Sequence, residues 1–238
     1  MKKRVLSSWA IAAVVIVGLA FTAHATTILE TDFTGVSKDS ATGIASDFTW
    51  DTVNGIEAPP TSLTFYRGDD GTTPVGFHNV TDDEIDVNRN MTDGGWDTNI
   101  AFDLDLPGGY TAIQLSSLIL DMRLTTGGGA DNTTQNKTGA EAVTLTGSIS
   151  GVLGSVSPAF SGYPGVTYQS IVDLTSLPEL DDSETYTLLV QARGDGWGHH
   201  KSLQGLELTG TLIPEPGTVS LLGLFGAALV VRRRLRRK

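Results

Sequence analysis

The sequence predicts an all-β protein, an antiparallel two-sheet β-sandwich of jelly-roll type. From Thr26 onward apolar and polar residues alternate with a period of two, most clearly at Phe102, Leu104 and Leu106. This alternation is typical of strands that turn one face to a core and the other to water. The intervening segments are rich in Gly, Asp, Asn and Pro, and no stretch keeps a helical period for three turns. A single closed sheet is the alternative architecture.

Ten strands are predicted, and turn signals such as "RGDDG", "LPGG" and "RGDGWG" separate them. The strands cover Thr27–Phe33, Ser46–Asp51, Ser62–Tyr66, Glu84–Asn88, Asn99–Leu106, Ala112–Thr125, Ala142–Ser150, Val166–Leu174, Tyr186–Ala192 and Leu203–Leu212. The polar, glycine-rich segment from Thr125 to Glu141 is expected to be a mobile loop between two of them.

The N-terminus has the layout of a secretory signal. Three of its first four residues are basic, an uncharged run then extends to Phe21, and small residues follow at Ala23 and Ala25. A cationic start, an apolar helix and an A-x-A site are the three parts of a signal peptide. We therefore expect residues 1–25 to be removed by signal peptidase after Ala25. The alternative is a retained membrane helix, because the apolar run reaches the lower edge of spanning length.

The body between the two ends is strongly acidic. Residues 26–213 contain 26 acidic and seven basic side chains, a net charge of −19, whereas the whole chain carries −11. Such a surface repels phosphate backbones, so we expect no nucleic-acid partner. The chain has no cysteine, which excludes disulfides, thiol catalysis and cysteine-ligated metals.

The composition changes abruptly after Ile213. The segment Pro214-Glu215-Pro216 is followed by fifteen uncharged residues from Gly217 to Val231. As a helix these span about 22 Å, short of the roughly 30 Å hydrocarbon core, so a permanent anchor would be marginal. The basic residues that end the chain are Arg232, Arg233, Arg234, Arg236, Arg237 and Lys238. Since basic clusters stay in the cytoplasm, both tips are expected there before processing, with the acidic body outside.

This arrangement resembles the PEP-CTERM sorting signal. The resemblance rests on Pro214-Glu215-Pro216, an apolar helix and a basic cluster, in this order at residues 214–238. It implies recognition by an exosortase, an integral-membrane cysteine protease of Gram-negative bacteria that make exopolysaccharide. It also implies transient residence in the inner membrane, followed by display at the cell surface or in the matrix. It says nothing about the body, residues 26–213. The alternative is a permanent C-terminal anchor with the two prolines as a stiff linker.

One motif in the body has the residue types of a glycosidase. Glu84 and Asp86, two apart on a predicted strand, would share one face. Their pattern resembles the E-x-D-x-x-E motif of laminarinase-type jelly-roll glycosidases, in which paired carboxylates act as acid/base and nucleophile. The third acid would fall at Arg89, so the acid/base partner is missing. We therefore expect no enzymatic activity and a solvated strand face; a secreted glycosidase or lyase is the alternative.

No cofactor is predicted, although four acidic pairs have the oxygen ligands that Ca²⁺ prefers. They are Asp69–Asp70, Asp93 with Asp97, Asp103 with Asp105, and Asp181–Asp182. None has the spacing of an EF-hand loop. His199 and His200 near Asp195 are of the types that bind transition metals, but adjacent side chains diverge, so no metal site is expected there.

The aromatic residues have two possible duties. Trp50, Trp96, Trp197 and Tyr110 could stack on sugar rings if exposed, but core filling is the expected role for most of them. Taken together, the sequence predicts an exported, exosortase-processed protein. Its body is expected to be structural, adhesive or glycan-binding, with extracellular polysaccharide as a possible partner.

Overall fold

The computed structural model describes residues 26–52, 62–67, 71–77, 84–87, 95–126, 139–157, 167–193 and 199–215. In these ranges the chain is all-β and forms two antiparallel sheets in a sandwich-like arrangement, which confirms the predicted fold class. The predicted signal helix and apolar tail helix lie outside the described residues. Over the ranges given above, no helix is long and apolar enough to cross a membrane.

Thirteen strands are described within these ranges. They are β1 (Thr26–Thr31), β2 (Ser37–Asp39), β3 (Ile44–Ser46), β4 (Asp51–Thr52), β5 (Ser62–Arg67), β6 (Ile85–Val87), β7 (Trp96–Phe102), β8 (Tyr110–Thr126), β9 (Gly139–Gly147), β10 (Gly151–Val156), β11 (Thr167–Asp173), β12 (Tyr186–Arg193) and β13 (His199–Pro214).

The two longest strands form the centre of the first sheet. Its order is β11-β8-β13-β1-β4, and β6 also pairs with β13. The pairing of β8 with β13 runs from Tyr110 opposite Pro214 to Thr126 opposite His199. The second sheet has the order β10-β9-β12-β7-β5-β3-β2.

The core lies between the sheets and follows the alternation in the sequence. From the first sheet, the buried side chains include Leu118, Leu120, Met122, Leu203, Leu206 and Leu208. From the second, they include Phe65, Trp96, Ile100, Val143, Leu145, Leu188 and Val190. Edge-to-face aromatic contacts join Phe65 to Trp96 at 5.4 Å and Phe48 to Trp50 at 5.6 Å. Burial of each such side chain stabilises the fold by about 1.5–3 kcal/mol.

Both termini of the described body lie at one end of the sandwich. The first residue of β1, Thr26, lies opposite Gly210 of β13, and β13 ends at Pro214. The β7–β8 connection (103–109), the β9–β10 turn (148–150) and the β11–β12 connection (174–185) also lie there. We call this the exit end. Its acidic residues are Asp103, Asp105, Glu179, Asp181, Asp182, Glu184 and Glu215, and none of its described residues is basic.

Apart from shifts of strand ends by a few residues, the observed strands differ from the predicted ones as follows. Two strands were missed, β2 and β10, because short or glycine-rich segments show little alternation. The predicted strand Ser46–Asp51 is not continuous, because only its end residues lie in strands, Ser46 in β3 and Asp51 in β4. Between them, Asp47 has a positive φ of 66°, and Phe48 lies in an irregular segment with its side chain buried. The strand predicted at Asn99–Leu106 begins earlier, at Trp96, and ends at Phe102. Of the predicted loop Thr125–Glu141, residues 127–138 lie outside the described residues.

Glycine is required at the β2–β3 turn, which gives a test of the fold. Gly43 has a φ of +68°, and a Cβ there would lie 2.6 Å from the carbonyl oxygen of Phe65. Gly43→Ala should therefore lower the free energy of unfolding by about 1–2 kcal/mol for the left-handed backbone and about 1–3 kcal/mol more for the clash. Denaturant unfolding measures this loss.

Two other glycines serve as matched controls. Gly151 has a φ of +73° but open space around it, so Gly151→Ala should show only the backbone loss. Gly108 has open space and no positive φ, so Gly108→Ala should change little. Equal losses in all three variants would contradict the geometry described.

Candidate functional site

The carboxylate of Glu84 is held by neighbouring strands and is not freely solvated. Arg123 on β8 donates from Nη1 to Oε1 of Glu84 at 2.8 Å, and the Nε2 of Gln204 on β13 donates to the same oxygen at 2.7 Å. The Glu84 side chain is 16% exposed. Lys38 Nζ also donates to the Glu84 backbone carbonyl at 2.5 Å. The structure thus differs from the expected solvated face at this residue, because Glu84 ties β6 to β13 and β8.

The second carboxylate of the glycosidase-like motif lies in β6. The backbone of Asp86 is opposite Ser202 of β13, while the side chain of Asp86 and the whole of Arg89 are outside the described residues. The described residues therefore do not show whether two carboxylates converge at a catalytic separation. The expected absence of enzymatic activity stays a prediction, and a glycosidase or lyase stays the alternative.

Three carboxylates form a cross-strand row on the outer face of the first sheet. Asp51 of β4 is opposite Glu30 of β1, and Glu30 is opposite Glu207 of β13. With Asp121 of β8 they line an open groove of about 660 Å³, which also passes over Gly205. A Cβ on Gly205 would lie 3.1 Å from an Asp121 carboxylate oxygen. We call this the acidic groove; none of its described lining residues is basic.

The acidic groove was not predicted, because it depends on strand pairing. Glu30 and Glu207 occupy polar positions of alternating strands, but the sequence does not show that they face each other. Like charges directly opposite each other destabilise a sheet. Hydrogen bonds offset part of this: Thr27 Oγ1 donates to Glu207 at 2.6 Å and Gln169 Nε2 to Asp121 at 2.9 Å. Chemically, such a groove accepts hydrogen bonds from hydroxyl groups and repels polyanions.

Two of the acidic pairs that have the oxygen ligands preferred by Ca²⁺ meet at the exit end. Asp103 and Asp105 line one open groove of about 480 Å³ together with Asp182 and Glu184. Thr185 Oγ1 donates to Asp103 at 2.5 Å. Still, the described residues contain no group of three His, Asp or Glu side chains that could hold a metal ion.

Glu184 acts there as a cap on the β9–β10 turn. Its carboxylate accepts hydrogen bonds from the backbone N–H of Ser150 at 2.9 Å, the Ser150 hydroxyl at 2.7 Å and the N–H of Ile149 at 2.6 Å. These bonds favour the charged form and hold the pKa of Glu184 below its ordinary value. Asp181 caps its own turn in the same way, and hydrogen bonds from the Ser183 hydroxyl and N–H lower the pKa of Asp181.

The other candidate residues have diverse surroundings. Asp97 is buried, and Gln191 Nε2 lies 3.3 Å from its carboxylate. His199 and His200 lie at the start of β13, where only the backbone is described. Trp50 and Trp96 fill the core as expected, and Tyr110 is 37% exposed. Asp69, Asp70, Asp93, Asp195 and Trp197 lie outside the described residues.

The first two residues of the predicted sorting motif are part of the folded body. Pro214 is the last residue of β13 and lies opposite Tyr110. The N–H of Glu215 donates to the carbonyl oxygen of Gly109 at 2.9 Å. Outside the described residues are Pro216, the basic cluster Arg232, Arg233, Arg234, Arg236, Arg237 and Lys238, and the signal residues Ala23 and Ala25.

No protein-family model matches this chain, and no curated protein is significantly similar to it. Its function is therefore inferred from its own residues, from the position of its termini and from the charge of its surface.

Removal of the Glu184 cap should produce a pH-dependent loss of stability. The pKa of Glu184 is lowered in the fold from an ordinary value of 4.5. Its contribution is therefore present above that value and is lost as the pH falls through the lower, folded-state pKa. Glu184→Gln should lower the thermal unfolding midpoint at pH 7, and the difference from the wild type should shrink below pH 4.5. Thermal unfolding monitored by circular dichroism from pH 7 to pH 2.5 would measure it.

Glu179→Gln is the matched control, because Glu179 is an exposed carboxylate in the same connection. The Glu179→Gln protein should have nearly the same thermal unfolding midpoint as the wild type at pH 7 and at pH 2.5. A difference between Glu184→Gln and the wild type that stays constant down to pH 2.5 would exclude the capping role.

Proposed function

We propose that this chain is an exported protein whose two tails both lie in the inner membrane before processing. An exosortase then releases it for display at the surface or in the polysaccharide matrix of a Gram-negative-type bacterium. Its body is a non-catalytic β-sandwich with a structural, adhesive or glycan-binding role. The observation that carries the proposal is that both tails leave the body at the exit end.

The geometry follows from the pairing of the first and last strands. Thr26 lies opposite Gly210, four residues before the end of β13 at Pro214. Adjacent strands are about 4.8 Å apart and each residue advances about 3.4 Å, so the two exit points are about 15 Å apart. Two membrane-directed segments that leave so close together can enter one bilayer without either tail crossing the body.

Charge supports the same topology. The nine basic residues of the tails lie beyond the body, while the body carries −19. Basic residues flanking apolar segments stay in the cytoplasm, and the large negative net charge of the body favours its solubility outside. A permanent anchor would use the same geometry. What favours processing is the order of motif, apolar run and basic cluster at residues 214–238.

Processing can be tested by expressing the full chain in a Gram-negative host that carries an exosortase, and in a matched strain without it. In the first strain we expect a mature protein that begins at Thr26, lacks the basic tail and leaves the membrane fraction. In the second, the tail should be retained. Pro216→Ala should block release, and Gly217→Ala, one residue beyond the motif, should not. Mass spectrometry of both termini measures these outcomes.

Each alternative has its own result. A basic tail retained in the membrane in both strains would identify a permanent anchor, and a chain that begins at Met1 would show that the signal segment is not removed.

The acidic groove favours neutral, hydroxyl-rich polysaccharide over polyanions as a partner. We expect the processed protein to be retained on a neutral matrix polysaccharide and not on an acidic one. The double variant Glu30→Gln with Glu207→Gln should bind about tenfold more weakly, because amides are poorer acceptors than carboxylates. This variant also removes a like-charge pair, so it should be at least as stable as the wild type.

The Glu179→Gln protein serves as the control for a lost surface charge and should bind like the wild type. Affinity electrophoresis in gels that contain each polysaccharide gives the comparison. If no polysaccharide retards the wild type, the glycan-binding role is excluded and a structural or adhesive role remains.

A further inference from the structure

The sorting motif begins before the folded body ends. Pro214 occupies the last position of β13 opposite Tyr110, and Glu215 donates its N–H to the Gly109 carbonyl at 2.9 Å. The acceptor belongs to a tight turn, which the Tyr110 N–H closes by donating to the carbonyl of Pro107 at 3.2 Å. The turn depends on Gly109, whose φ is +92°.

This attachment is weaker than the rest of β13. The described pairing of β1 with β13 extends only to Gly210, so residues 211–214 are paired with β8 alone. Pro214 has no N–H to donate. The attachment of Glu215 is one backbone hydrogen bond at an exposed residue. Few interactions therefore hold this end of β13 in the closed position that the structure shows.

We propose that this contact is a latch, and that an exosortase-type protease cleaves the tail only after Pro214 and Glu215 have come away from the Pro107–Tyr110 turn. The proposal rests on the proposed function. Enzymes that bind an extended peptide by adding it to a strand edge need that peptide's backbone groups free. In the closed latch, Pro214 and Glu215 already lie against β8 and its turn.

The short connection to the tail makes release necessary. Only Pro216 lies between the latched Glu215 and the uncharged run that starts at Gly217. Two residues reach at most about 7 Å. While the latch is closed, Pro214 and Glu215 therefore stay against the surface of the body and cannot enter the cleft of a membrane enzyme. The Pro107–Tyr110 turn is thus a positioning element for processing.

Two variants open the latch without changing the motif. Gly109→Ala forces a side chain onto a positive-φ position and should distort the turn that accepts the Glu215 hydrogen bond. A Gly-Ser-Gly-Ser insertion between Ile213 and Pro214 moves the intact motif away from the body and leaves the turn untouched. Gly108→Ala is the matched control, since a Cβ there has open space.

Pulse-chase labelling in the exosortase-bearing strain measures the rate of tail removal. The insertion variant and Gly109→Ala should be processed about fivefold faster than the wild type, the factor expected when one net hydrogen bond is lost. Gly108→Ala should match the wild type. In the full chain in detergent, hydrogen exchange should show a protected Glu215 amide in the wild type and in Gly108→Ala, and a rapidly exchanging one in Gly109→Ala.

The outcomes separate the latch from the proposed function. An insertion variant that is processed at the wild-type rate or more slowly overturns the latch alone, as does an unprotected Glu215 amide in the wild type. If the wild type is not processed in either strain, the proposed function fails, and the role of the latch in processing fails with it. Should Gly109→Ala not fold, the insertion variant still decides.

Discussion

The pairing of β8 with β13 is the constraint on which the rest of the structure depends. These strands have 17 and 16 residues, and their ladder extends from Tyr110 and Pro214 to Thr126 and His199. The described residues contain no helix and the sequence no cysteine, so strand pairing and the apolar core hold the described part of the body together. The ladder carries a continuous apolar face and provides edges for β11, β1 and β6. Its register places the Glu84 contacts, one side of the acidic groove and the contact of Glu215 with Gly109.

Register shifts in this ladder determine which side chains project from the outer face of the first sheet. A register shift between Leu203 and Gly205 leaves Gln204 without a partner on β8, and its amide reaches the same Glu84 oxygen that Arg123 contacts. Bulges of this kind redirect single side chains. The residue after the bulge, Gly205, lies opposite Asp121, and its missing side chain leaves room over the acidic groove. The bulge thus adds Gln204 to the ion pair of Glu84 with Arg123, and the residue after it, Gly205, lines the groove.

The sequence predicted the features that depend on local pattern. Half-buried antiparallel strands alternate, so most strands could be predicted from single segments, whereas the core role of Trp50 and Trp96 was expected from residue type alone. Short strands such as Ser37–Asp39 contain too few positions to show a period. Partners distant in sequence could not be predicted at all: Thr27 and Glu207 are 180 residues apart, and Glu84 and Gln204 are 120 apart. For the same reason Glu84 was recognised by its spacing from Asp86, whereas its ion pair with Arg123 was not.

The topology also links folding to the proposed processing. Because β13 is the last described strand and a central strand of the first sheet, that sheet cannot be completed until residues 199–214 have reached the same compartment as β1. Such long-range closure is slow, since loop entropy is lost before the contacts form. If the tail is held in the bilayer after export, the body folds while tethered. The contact of Glu215 with Gly109 lies at the end of the β8–β13 ladder, where the described body ends. The β8–β13 pairing that completes the first sheet would thus also hold the sorting motif. The accessibility of the tail would then depend on whether this pairing has formed.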